Sequence, residues 1–268
     1  MYGFAYRRAA SLEEAAALLA ADPDAKALAG GQTLIPTLKQ RLAQPSALVD
    51  VARLAELRGV RLEGERLVIG AATRHADVAA DPTVRAVLPG LANLAAGIGD
   101  RQVRNMGTLG GSVANADPAA DYPAALLALD AEVVTDRRRL AAEDFFTGMF
   151  ETALAPGELV VSVVFALARR AAYAKFPNPA SRYAVAGVFV AQGADGAARV
   201  AVTGAGPCVF RLPAFEAALT ADFSAAALDG LTVDADGLND DLHADAAYRA
   251  HLTGVMARRA VAACADQQ

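Results

Sequence analysis

Two pairs of adjacent glycines constrain this chain more tightly than anything else in it: Gly30-Gly31 within Ala29-Gly30-Gly31-Gln32-Thr33, and Gly110-Gly111 within Gly107-Thr108-Leu109-Gly110-Gly111-Ser112. Residues without Cβ let backbone amides converge on an anion, and a helix that starts from such a turn adds partial positive charge. The first pair has that setting. Lys26 to Ala29 reads as a short strand, and Leu34, Ile35, Leu38 and Leu42 follow at helical spacing, with Pro36 tolerable in a first turn. Singly, a Gly-Gly pair is more often a plain turn. One such loop suggests a phosphate, whereas two suggest a diphosphate gripped from both sides. Asn115 and Asp121, just beyond the second loop, can serve hydroxyls, so the set favours a dinucleotide. Neither GxGxxG nor GxxxxGKS/T occurs, and Gly204-Ala205-Gly206 runs into Pro207 and reads as a turn, so neither the Rossmann nor the P-loop arrangement applies.

The remaining composition limits what chemistry the chain carries by itself. At a usual domain size of about 150 residues, 268 residues predict two lobes or one large domain with an appendage. Of the 54% hydrophobic residues a large part is alanine, 67 in all, which leaves an ordinary globular content of larger apolar side chains. The longest uncharged stretch, Ala86 to Gly99, is interrupted by Pro89 and Asn93 and is too short to span a membrane. A net charge of −5 argues against nucleic-acid binding, and Arg137-Arg138-Arg139 after Asp136 reads as a solvated turn. Arg7-Arg8 is followed by Glu13-Glu14 where an export signal needs an apolar segment, so the cytoplasm is the expected compartment. Cys208 and Cys264 are too few and too far apart for a disulfide framework, a zinc site or an iron–sulfur cluster. His75, His243 and His251 lack metal-ligand spacing, and no GxSxG elbow is present. Asp117 before Pro118 suits a turn, and Asp121 suits either a cap for the next helix or a hydroxyl partner. Without a nucleophile, base or metal, chemistry must come from a bound cofactor.

Read for periodicity, the first part is a β-α-β unit: a helix from Ser11 to near Pro23, the strand into the first glycine loop, a second helix, and a strand from Leu48 to Val51. A hairpin, Val60 to Leu62 and Leu67 to Ile69, follows. A helix is expected from Val84 to Ala96, then a segment from Gly97 to Ala116 too glycine-rich for a helix and too polar for a buried strand. Tyr122 to Leu129 reads as helix, and Glu132 to Thr135, Arg138 to Leu140 and Glu158 to Phe165 as strands. Beyond Leu167 the composition shifts to a three-stranded meander, Ala172 to Lys175, Tyr183 to Ala191 and Arg199 to Gly204. Helices are then expected at Pro213 to Leu219, Ser224 to Leu228 and Asp245 to Cys264.

In combination these residues resemble a known family. Ala29-Gly30-Gly31-Gln32-Thr33-Leu34-Ile35-Pro36, Ile69-Gly70-Ala71-Ala72-Thr73, Val103-Arg104-Asn105 with Thr108-Leu109-Gly110-Gly111-Ser112, Asp117-Pro118-Ala119-Ala120-Asp121, Pro156-Gly157-Glu158-Leu159 and the closing Tyr248-Arg249-Ala250-His251 are similar to the FAD-binding medium subunit of molybdenum hydroxylases, the carbon monoxide dehydrogenase and xanthine dehydrogenase family. The resemblance implies an α+β fold. Residues 1–167 would form a two-part FAD-binding domain of the vanillyl-alcohol-oxidase (PCMH) type, divided at 58/59, and residues 168–268 a C-terminal domain with a three-stranded antiparallel sheet and helices. It implies a non-covalent FAD with its diphosphate between Ala29, Gly30, Gly31, Gln32, Thr33 and Leu34 on one side and Thr108, Leu109, Gly110, Gly111 and Ser112 on the other. Asn115 and Asp121 would reach ribityl or ribose hydroxyls, Val161 would offer a backbone contact near the flavin ring, Lys175 a nearby side chain, and Tyr183 a ring beside the isoalloxazine. Ser112 stands where many relatives have Asn, and its hydroxyl can still donate. The implied role is electron transfer with no catalytic residue or metal on this chain, inside an assembly whose large subunit binds molybdopterin and whose small subunit holds [2Fe-2S] clusters, as a dimer of heterotrimers. The alternatives are a self-contained flavin reductase of the cell-wall precursor type, for which a proton donor and substrate domain are missing, and a flavin-free scaffold.

Overall fold

The chain begins with β1 (Ala5–Arg8), a strand that the sequence pattern does not mark because all its residues are exposed. In the computed structural model, which describes residues 1–265, β1 leads into α1 (Leu12–Ala21). Ser11 Oγ accepts from Glu14 N at 3.1 Å and Glu14 Oε2 accepts from Ala10 N at 2.7 Å, a reciprocal cap like the one that the Ser11–Glu14 spacing predicts. There follow β2 (Lys26–Leu28), α2 (Leu34–Lys39) and β3 (Ala47–Asp50), which make a parallel sheet in the order β1-β3-β2. The second helix is shorter than its apolar spacing suggests: Arg41 turns left-handed at φ 60°, and Leu42 is exposed.

After a 3-10 turn at Ala55–Leu57, β4 (Val60–Glu63) and β5 (Arg66–Gly70) form the expected hairpin. The helix expected from Val84 to Ala96 is instead two, preceded by a third. α3 (His75–Ala80) leads to α4 (Pro82–Val87), capped by Asp81, and Leu88 (φ −141°) breaks the chain before Pro89 opens α5 (Pro89–Ala96). The segment expected to be neither helix nor strand also folds into two short helices, α6 (Arg101–Met106) and α7 (Leu109–Asn115). Their caps explain it: Asp100 Oδ1 accepts from Val103 N at 2.8 Å and Thr108 Oγ1 from Gly111 N at 3.2 Å. α8 (Tyr122–Ala128) is wholly buried. It leads to β6 (Glu132–Thr135), β7 (Arg139–Ala141), α9 (Ala142–Phe145), the small hairpin of β8 (Phe146–Gly148) and β9 (Glu151–Thr152), and β10 (Val160–Ala166). The sheet runs β4-β5-β10-β6-β7. β10 begins two residues later than expected, because the buried Glu158 is held in the preceding turn by Arg138 and Thr135.

β11 (Arg170–Pro177), β12 (Ala184–Gln192) and β13 (Ala198–Thr203) are the expected meander, joined by a two-residue fourth strand, β14 (Phe210–Arg211), that pairs with Ala201 and Val202. The three-stranded expectation is corrected by that strand, too short to carry an alternation signal. α10 (Pro213–Ala221) and α11 (Ala246–Ala265) follow, and the helix expected at Ser224 to Leu228 is only a 3-10 turn at Ala226–Leu228. Arg249 in α11 is buried and donates to the Val185 and Gly204 carbonyls at 2.6 and 3.0 Å, which gives the closing motif a structural task.

Both faces of the four-stranded sheet are apolar. Val188, Val190, Val200 and Val202 meet Phe215, Leu219, Met256 and Ala260 on one side, whereas Ala171, Phe189, Ala191 and Ala201 enter the core built around Leu67, Ile69, Leu91, Leu126 and Phe165 on the other. The contact is close enough that a Cβ on Gly90 of α5 would lie 2.3 Å from the Ala171 carbonyl oxygen. A separate core under the parallel sheet joins Leu19, Val49 and Leu57 to Leu159. Among the described residues no helix is long and apolar enough to cross a membrane.

Candidate functional site

The fold brings the two glycine loops into contact. A Cβ on Gly30 would lie 2.2 Å from the Met106 carbonyl oxygen and 2.7 Å from Gly107 Cα, and one on Gly111 would face Ala29 Cβ at 3.9 Å. The loops are not equivalent. In the first, Gly31 adopts φ +69° at the turn from β2 into α2, and the backbone amides of Gly30, Gly31, Gln32 and Thr33 find no acceptor among the described residues. Ala29, Gly30, Gly31 and Leu34 are half-buried, whereas Gln32 and Thr33 are exposed, so a run of free donors lies within reach of a ligand at a helix start.

In the second loop the amides are engaged by the protein. Leu109 N donates to the Thr73 carbonyl at 3.0 Å, Gly110 N to the Ala71 carbonyl at 2.8 Å and Gly111 N to Thr108 Oγ1 at 3.2 Å. Gly110 is required for packing: its Cβ would lie 2.4 Å from Ala71 Cβ and 2.8 Å from Ala71 Cα. The strip from Gly70 to Thr73 is thus the floor on which α7 rests, with His75 N donating to the Gly107 carbonyl at 2.9 Å. What this side offers a ligand is the Ser112 hydroxyl and Asn115 amide on α7, whose side chains bond to nothing among the described residues, together with the exposed Gly111 backbone.

Behind α7 lies a buried polar pair. The rings of His75 and Tyr122 are 5.5 Å apart, and His75 Nδ1 and Tyr122 Oη are both buried without a hydrogen-bond partner among the described residues. Burial, helped by the Arg104 guanidinium, lowers the His75 pKa to about 4, and burial beside Asp121 raises that of Tyr122.

Asp121 sits where the N-terminal end of α8 meets the four-stranded sheet. It is 5% exposed, and Lys175 Nζ and Tyr173 Oη donate to its Oδ1 at 2.9 and 2.6 Å; the same ammonium donates to the Gly97 carbonyl at 2.9 Å. The cap reading is not realised, since the Asp121 side chain makes no capping bond to α8. Burial pushes its carboxyl above the usual range, opposed by the Lys175 charge and by both donors. Asp117 is the expected turn former, its Oδ1 accepting from Ala119 N at 2.9 Å. Val161 is the extra residue of a bulge in β10 and its carbonyl accepts from Ala71 N at 2.8 Å, which ties it to the floor of the second loop. Tyr183 is held differently, by Asn178 Nδ2 at 2.9 Å and edge-on to His243. Tyr173 is not marked by the sequence, His75 is read there only as lacking metal-ligand spacing, and Ala71 enters only within the Ile69–Thr73 motif. Only their through-space neighbours distinguish them from ordinary core positions.

The FAD-binding domain family of molybdopterin dehydrogenases matches residues 2–166. The carbon monoxide dehydrogenase medium chain of Hydrogenophaga pseudoflava is 38% identical over 275 residues, covering 96% of each chain. The 6-hydroxypseudooxynicotine dehydrogenase complex subunit alpha of Paenarthrobacter nicotinovorans is 36% identical over 280 residues, covering 97% of this chain and 93% of the relative. Among solved structures, a chain of reconstituted CO dehydrogenase from Oligotropha carboxidovorans superposes with a TM-score of 0.93 at 33% identity, covering 100% of this chain and 99% of that one.

Proposed function

The chain belongs to the FAD-binding domain family of molybdopterin dehydrogenases, and on that premise we propose that it is the electron-transfer subunit of a heteromeric molybdenum hydroxylase. It would take electrons from the [2Fe-2S] clusters of a small partner, reduced in turn by a molybdopterin-binding large partner, and pass them to an external acceptor. A dimer of such heterotrimers in the cytoplasm is the assembly that fits this reading. Bound FAD supplies the redox chemistry.

The chain's own residues supply position and charge. The observation that carries the proposal is the run of free amides from Gly30 to Thr33, which would hold a diphosphate, with Gly30 packed against Met106 and Gly107 just ahead of α7. Gly31 holds the turn that aims the donors, and Ser112 and Asn115 can donate from the opposite wall. Asp121, whose ionised form the Lys175 ammonium favours against the cost of burial, would accept from a ribityl or ribose hydroxyl. Val161 and Tyr183 would border the flavin ring. Leu34, Leu109 and Gly110 act through the backbone and Thr108 through its cap on Gly111 N, by shaping the two walls.

Titration of the chain with FAD, followed by the oxidised-flavin band at about 450 nm, tests this directly. One equivalent should bind and be released by unfolding, since no His or Cys lies in either loop to attach it. Alone, the chain should be inert toward any reducing substrate of the complex, and adding the large and small partners should restore substrate-dependent bleaching. Turnover of an organic substrate by the isolated chain at about 10 per second would instead require a self-contained flavoenzyme.

A further inference from the structure

Both donors to Asp121 fall on one oxygen. Tyr173 Oη and Lys175 Nζ bond Oδ1 at 2.6 and 2.9 Å, while Oδ2 has no side-chain partner among the described residues. Tyr173 and Lys175 are two apart on β11 and therefore share a face of the sheet. The reach of Tyr173 is sterically conditional. A Cβ on Gly187, in neighbouring β12, would lie 2.3 Å from Tyr173 Oη and 2.9 Å from Cζ, so a larger residue there evicts the phenol. Phe189 stacks on the ring from the same strand, with centroids 6.2 Å apart. Packing against Phe189 would be met equally well by a phenylalanine, and a buried hydroxyl is costly unless it is bonded. The tyrosine is distinguished by what its hydroxyl holds.

We propose that Tyr173, admitted by Gly187, is a positioning residue that fixes Oδ1 of Asp121 and thereby presents Oδ2 to a hydroxyl of the bound dinucleotide. The inference rests on the cofactor reading above. Lys175 supplies charge from a flexible stem, but a second donor on a rigid ring is what fixes the carboxylate's rotation. An ionised carboxylate only accepts, so the site takes a hydroxyl donor and rejects a second phosphate. The titratable groups that face Asp121 are Tyr173 and Lys175 from β11 and Tyr122 beside it in α8. A hydrogen bond to the ionised form favours that form, so removing the Tyr173 hydroxyl must let Asp121 take up its proton at higher pH.

FAD titrations of the full chain over about pH 5 to 8 test the proposal. Tyr173→Phe should weaken binding about tenfold at neutral pH, the effect of one lost hydrogen bond to a charged group, and shift the acid-side loss of affinity upward. Gly187→Ala should act in the same direction through the displaced ring, and adding Tyr173→Phe to it should weaken binding little further. It also supplies the measurement should Tyr173→Phe fail to fold. In an Asp121→Asn background, where no carboxyl titrates, Tyr173→Phe should leave the pH profile unmoved. If the wild type binds FAD and Tyr173→Phe changes only the melting temperature, the positioning role is overturned and the cofactor reading stands. A wild-type chain that takes up no FAD at any pH overturns the cofactor reading, and this inference with it.

Discussion

Gly31 and Gly110 look alike in the sequence and do different work in the fold. Gly31 stands at φ +69°, where an L side chain is strained, and its amide belongs to the free run of the first loop; Gly110 lies inside α7, pressed on Ala71. Gly31→Val should therefore abolish FAD retention while leaving a folded chain, read by circular dichroism and flavin absorbance. Gly110→Val should lower the melting temperature first, because its side chain meets backbone that cannot give way. Asp121→Ala should weaken FAD by about 1.5 to 3 kcal/mol, roughly 10- to 150-fold, measured by titrating the apo variant. It should also destabilise the fold, since Lys175 is left 11% exposed without its partner carboxylate. The glycine pairs, Asn115 and Asp121 are legible as candidates because residue type and spacing carry the signal, whereas Lys175 enters only through the family resemblance. Which amides are free was not legible, because that depends on Ala71 and Thr73 arriving from another part of the chain.

The elements around the site are short and held by local polar contacts, and these respond to pH. The folded-state pKa of His75, about 4, lies below its ordinary value, so the unfolded chain binds its proton more readily. Its contribution is complete above about pH 6.5 and is lost as pH falls toward 4, by up to about 3 kcal/mol. Glu158, bonded by Arg138, Thr135 and Ala155 N, is held down to about 2, and its contribution fades between about pH 4.5 and 2. Denaturant midpoints measured against pH should fall in both windows; His75→Phe should flatten the upper one and Glu158→Gln the lower. Elements of this kind mark the limit of sequence periodicity. α1 and α11 show clear patterns because each buries a regular face, and β4 and β5 read as a hairpin around the Glu63-Gly64 turn, where Gly64 stands at φ +59°. β1 has no buried face, α6 and α7 exist through the caps of Asp100 and Thr108, and β14 is only two residues long.

Across the whole molecule the parts are joined by core rather than by linker. Phe189, Ala191 and Ala201 of the C-terminal sheet belong to the same core as Leu126 and Phe165, and Gly204 N and Thr203 Oγ1 donate to the Pro118 and Ala120 carbonyls at 2.7 and 2.6 Å. Phe189→Ala should thus lower the stability of both sides together by about 3 to 5 kcal/mol, seen as one coincident transition by fluorescence and circular dichroism. The composition shift at Leu167 is visible in the sequence, but the shared core is not, since the strands of the meander do not say what lies against their apolar residues. The Gly90 contact with Ala171 carries a lesson for recombination. Exchanging residues 168–265 for the corresponding piece of a relative would set a foreign β11 backbone against an α5 surface that leaves no room for a Cβ between them. Such chimaeras should succeed only when the helix bearing Gly90 travels with the sheet, so the heritable unit here is the seam and not the segment on either side of it.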